Sequence, residues 1–169
     1  MRRGLQLWEW IALIFLGLVC GCIFFPVYAC ACGEASPSVA CLSNVKQLTL
    51  GNIIYASDWN DRLPPSINWM DAVKPYVKRD DLFHHPKMEG AMGVSGDIYG
   101  YAFNSEVSLQ DTEKMLSPEQ IPMLFDSVNY ARNASDPLLS LPVPGRHKGR
   151  NNFGYVDGHA KGLASPLAR

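Results

Sequence analysis

A chain of 169 residues with 15 Lys and Arg against 16 Asp and Glu has a net charge of −1, which gives no electrostatic case for nucleic acid or an acidic substrate. Once the apolar head is set aside, about 125 residues remain, room for one anchor segment and one small domain. The five cysteines, Cys20, Cys22, Cys30, Cys32 and Cys41, all sit near the N-terminus, which excludes a disulfide framework for the rest of the chain.

The head begins with Arg2 and Arg3, then Gly4, then a single acid, Glu9. From Trp10 to Gly33 no charge occurs. At about 1.5 Å per residue such a run crosses a hydrocarbon core of roughly 30 Å, so the expectation is one membrane span over 5–32. Basic residues at 2 and 3, with no other before Lys46, place the N-terminus in the cytoplasm and the body outside. Glu9 stands at the mouth of that helix, where a carboxylate is costly and usually functional. A cleaved secretory signal would end at Ala29-Cys30-Ala31, and a lipoprotein would use Gly21-Cys22 or Ala29-Cys30. Glu9 and the length of the apolar run count against both. Cys20 and Cys22 read as small apolar residues, while Cys30, Cys32 and Cys41 fall just outside the membrane, where oxidation is possible. Cys30-x-Cys32 lacks the second pair or nearby His that a metal or redox site requires.

Pro37 kinks or breaks the helix. Val39, Leu42, Val45, Leu48 and, after a slip, Ile53 then recur at helical spacing, and Asn60-Asp61 with Pro64-Pro65 end the segment. An unbroken helix from Leu5 to near Ser57 would be about 80 Å long, too long for a small globule to contain. Ser66 caps a short helix through Val73. His84-His85-Pro86 invites a metal reading, but two adjacent histidines need ligands from elsewhere, and a turn before Pro is an ordinary place for His. Ile98–Phe103 and Pro122–Asp126 read as strands, the second central; Leu109–Met115 reads as a short helix and 133–144 as a surface loop. At the C-terminus, 152–156 and 159–161 pair across a two-residue Asp157-Gly158 turn, within a hairpin region spanning 145–163.

The basic leader ending in Gly4, the acid five residues on and the apolar helix resemble the N-termini of type IV prepilins and type II secretion pseudopilins. Leu5 replaces the usual Phe, and Gln6, Trp8 and Trp10 depart from the pattern; Pro26 falls where that family often carries a kinking proline. Cys41-Leu42-Ser43-Asn44-Val45-Lys46-Gln47 resembles the CxSNxKQ helix of bacterial pseudopilin-like proteins that end in a His-x9-Asp-Gly signature. Here His147, Asp157 and Gly158 match that signature, with Asn152-Phe153 and His159 in register. A Cys often stands in that group where this chain has His85.

The resemblance implies an α+β, pilin-like fold: a leader (1–4), a helix (5–32) whose front half is transmembrane, and an extracytoplasmic domain (33–169) with a small antiparallel sheet. It implies cleavage after Gly4, methylation at Leu5, and assembly through Glu9 and a neighbour's Leu5 amine. Partners would be a prepilin peptidase, other pilin or pseudopilin subunits and an inner-membrane assembly platform, with the protein in the bacterial inner membrane as a single-pass subunit. A membrane-anchored binding module, or less readily a hydrolase, using the helix only as a tether is the alternative. His147, His159, Asp157 and Asp126 admit an acid/base or metal reading. Without a nucleophile motif, the expectation is architecture: no catalysis, Asp157-Gly158 shaping the turn and His147 bonding backbone carbonyls. No cofactor is expected. Ca²⁺ is the exception the relatives suggest, with Asp126, Asp136 and Asp157 as oxygen donors, although no loop has a calcium-type spacing.

Overall fold

The computed structural model describes residues 6–31, 37–85 and 98–164, with side chains for 6–21, 38–85 and 98–164. The chain divides into two units, Met1–Ala35 and Ser36–Arg169. Gly4 and Leu5, the expected processing site, lie outside the described residues.

The first unit holds helix α1, Leu7–Ala31. Its start is set by Glu9, whose carboxylate accepts the Gln6 backbone N–H at 2.8 Å. That reciprocates the reach-back half of a capping box and places a negative charge at the positive end of the helix dipole. Along the next turns Leu7, Trp8, Ile11, Ile14, Phe15 and Leu18 are all exposed. Their positions run round the helix, so α1 has no apolar stripe that a single flank would cover.

A second helix, α2, covers Pro37–Asp58; whether the chain kinks or breaks ahead of Pro37 lies outside the described residues. One expectation fails here. The transmembrane front half, and with it a single-pass inner-membrane location, is not supported, because no helix among the described residues is long and apolar enough to cross a membrane.

The second unit is α+β. Strands β1 (Tyr101–Asn104), β2 (Pro122–Asp126), β3 (Ser135–Asp136), β4 (Arg150–Tyr155) and β5 (Ala160–Ala164) form one sheet in the order β3-β1-β2-β4-β5. All neighbours are antiparallel except β1 and β3, which run parallel, so the expected antiparallel sheet is in fact mixed. The cause is local: the 133–144 loop returns beside β1, where Phe103 N–H donates to Ala134 O at 3.0 Å. A two-residue bridge of that kind has no periodicity to detect.

Helix α2 packs on β4 and β5. Cys41, Val45, Leu48, Thr49, Asn52 and Ala56 are buried along its inner face, the spacing of an amphipathic helix on a sheet. At Gly154 of β4 an added Cβ would collide with the Thr49 hydroxyl and come within 3.3 Å of Val45, so the helix approaches the strand closely because that residue has no side chain. Tyr101 and Phe103 point into this core and Ala102 into a second cluster with Phe125, Phe153 and Tyr155, the alternation a pleat demands. β2 is buried from Met123 to Asp126, as its apolar sequence required. Trp69, fully buried, stacks on Phe103 and donates its indole N–H to Ala134 O at 3.0 Å. It lies in helix α3 (Trp69–Val73), preceded by a 3₁₀ turn over Ser66–Asn68 in which Ser66 is helical rather than the cap. The helix expected over 109–115 is replaced by separate single turns at Ser105–Val107 and Thr112–Lys114.

Candidate metal centre

Four chemistry-bearing side chains from four separate parts of the second unit meet inside it. Cys41 comes from the first turns of α2. His85 follows the 3₁₀ turn Asp80–Phe83, whose exit is held by the His84–Tyr99 bridge. Asp126 is the last residue of β2, opposite Tyr101 of β1. His147 sits in the turn leading into β4, where the His147 and Arg150 backbones bond each other reciprocally at 2.9 and 3.2 Å. Arg146 locks that turn down by donating to Gly100 O at 3.2 Å and Ser127 O at 2.5 Å. Cys41, His85 and Asp126 are 0% exposed and His147 6%.

The contacts are short. Cys41 Sγ lies 3.8 Å from His85 Nδ1, and His85 Nε2 lies 3.4 Å from His147 Nε2. Asp126 Oδ2 is 3.2 Å from His147 Nε2, and Oδ1 is 3.7 Å from His85 Nε2. The Asn152 backbone N–H donates to Asp126 Oδ2 at 2.6 Å, yet Asp126 Oδ1 and His147 Nδ1 make no hydrogen bond. Buried polar atoms rarely stay unsatisfied, because each forfeits its hydration without return. Burial, followed by the negative potential of Cys41 and Asp126, pushes the neighbouring Tyr101 hydroxyl well above its ordinary pKa. Ligand atoms of Cys41, His85 and His147 all lie within 4.8 Å of one another. This buried group has the residue types and spacing to hold a metal ion.

The sequence-derived acid/base set divides in two. His147 and Asp126 come together, but not with His159 and Asp157. His159 donates its backbone N–H to Asp157 Oδ1 at 3.0 Å, and its Nδ1 lies 2.6 Å from the same oxygen. This pair sits at the β4–β5 turn, stacked on Tyr155 and partly open to solvent. Burial raises the Asp157 pKa, but the bonds from His159 outweigh it and hold the carboxyl below its usual range. Gly158, at φ +92°, supplies the turn's left-handed residue. The connection is four residues, 156–159, rather than two. The Gly158 carbonyl accepts Lys46 Nζ at 2.6 Å, so the helix motif and the C-terminal signature meet directly.

Other expectations resolve as follows. The His147 side chain contacts His85 and Asp126, not backbone carbonyls. His84 stacks on Tyr99, with Nδ1 3.2 Å from Ile98 O, and takes no part in the cluster. Asp126, Asp136 and Asp157 do not converge: Asp136 accepts from Leu139 N–H, Ser140 N–H and the Ser140 hydroxyl instead. Cys41 lies in the core of the folded unit. The joining of Cys41 and His85 to each other and to the His147–Asp126 pair is what the sequence does not show. No protein-family model, curated protein or solved structure matches the chain.

Proposed function

We propose that this chain is a non-catalytic structural subunit, of pseudopilin or minor-pilin type, in a type II secretion or type IV pilus-like assembly. The observation that carries the reading is α1, a helix opened by one acid and exposing large apolar side chains all round. Such a surface calls for cover. Like helices of neighbouring subunits supply that cover, and Glu9 supplies the single charge that fixes their register. Among the described residues Glu9 accepts the Gln6 N–H, a contact it exchanges for the Leu5 amine of a neighbour after a prepilin-type peptidase removes residues 1–4. The second unit supports the same reading: its polar cluster is closed to solvent, where no substrate reaches it, and its signature residues join helix to hairpin.

The test is twofold. Mass analysis of the N-terminal peptide is expected to show a chain beginning at Leu5. Glu9→Ala is expected to leave the second unit's melting unchanged while cutting inter-subunit crosslinking about 100-fold, the equivalent of roughly 3 kcal/mol for an unpaired buried charge. An intact Met1, or crosslinking equal to the parent, refutes the reading.

A further inference from the structure

We propose that Cys41, His85, His147 and Asp126 form a closed structural site for one zinc-class divalent ion. The spacing is the first argument. A tetrahedral ion with bonds of about 2.0–2.3 Å separates its donors by about 3.3–3.6 Å. His85 Nε2 and His147 Nε2 lie 3.4 Å apart, and the Asp126 carboxylate sets Oδ2 3.2 Å from His147 Nε2 and Oδ1 3.7 Å from His85 Nε2. Two imidazole Nε2 atoms facing each other share at most one proton, and Asp126 Oδ1 accepts no hydrogen bond although it faces His85. A common ion satisfies all three. Cys41 Sγ lies 3.8 Å from the other ring nitrogen of His85, Nδ1, and a ligand atom from each of Cys41, His85 and His147 lies within 4.8 Å of the others; a rearrangement of the thiol or the ring on loading makes it the fourth donor.

Charge is the second argument. A thiolate, a carboxylate and two neutral imidazoles sum to −2, which a dication cancels within a site that water does not reach. The donor types select the ion. One thiolate and two imidazoles favour zinc and its borderline neighbours, whereas calcium and magnesium need more oxygen ligands than Asp126 offers. With every donor at most 6% exposed, no coordination position opens to solvent, the mark of a structural rather than a catalytic ion. The ion would fasten α2, the 80–85 segment, β2 and the 146–148 turn to one point. It also gives His147 of the C-terminal signature a purpose distinct from that of Asp157-Gly158.

The experiment uses the full chain in detergent, purified without chelator, with metal content measured by mass spectrometry. Close to one zinc per chain is expected, falling to near zero in Cys41→Ser and His147→Gln. Stripping the ion with a strong chelator is expected to lower the melting temperature, and zinc to restore it. Because either variant can fail to fold, cobalt substitution of the parent chain decides independently: tetrahedral visible bands and a near-ultraviolet thiolate-to-cobalt band are expected. No bound zinc, no cobalt bands and melting indifferent to chelator would establish a metal-free hydrogen-bonded cluster and overturn the proposal.

Discussion

The molecule contains two His–Asp pairs built from the same side chains to opposite ends. His147 and Asp126 approach to 3.2 Å with at most 6% exposure, among Cys41, His85 and Tyr101. His159 and Asp157 approach to 2.6 Å across a turn that water reaches. The surface pair is closer, yet it matters less, because solvent supplies a substitute partner whenever it opens. The buried pair has no substitute, so its worth is the cost of leaving a charged or polar group stranded. The contrast warns against reading importance from distance alone.

Three substitutions test this contrast, and they are expected to rank by burial rather than by contact length. Asp126→Ala removes the acceptor of Asn152 N–H and the carboxylate that faces both histidines. It is expected to cost about 3–5 kcal/mol in denaturant unfolding. A loss below about 1 kcal/mol would place the buried pair with the surface pair and end the comparison. Gly158→Ala keeps every side chain of the exposed pair but forces a Cβ onto a backbone at φ +92°, an expected loss of about 1 kcal/mol by the same measurement. Its Cβ meets Leu50 only at 3.7 Å, so strain rather than collision accounts for the loss.

The smallest effect is Asp157→Ala, below about 1 kcal/mol at neutral pH because the pair is screened. It carries a distinctive pH signature. The folded-state pKa of Asp157 is lowered, so its contribution is complete above the unfolded carboxylate value of about 3.9 and is lost as pH falls through the folded value. The stability difference between parent and Asp157→Ala is therefore expected to be present at about pH 5 and to shrink below about pH 4. A difference that grows as pH falls below about 4 would reverse the sign and refute the pairing.

Much of the second unit is written locally. Val45 and Leu48 on the inward face of α2, the central character of β2 and the C-terminal hairpin follow from period and turn chemistry, because each is a property of residues a few positions apart, but Val39 of the same periodic set is exposed and the polar Asn52 is buried. The same rules read the apolar head, but they assigned it a membrane crossing that no helix among the described residues is long and apolar enough to make. The parallel strand β3 escaped because two residues carry no period. The four-residue cluster escaped for a different reason: Cys41 and His85 are separated by 44 positions, and His85 and His147 by 62. No spacing rule spans such gaps. Sequence alone therefore determined which residues can bond, ligate or turn, since those are properties of side chains and neighbouring dihedrals. Only the tertiary structure decided which of two chemically identical His–Asp pairs lies in the dark interior, because burial is set by how α2 and the sheet close over one and leave the other at the rim.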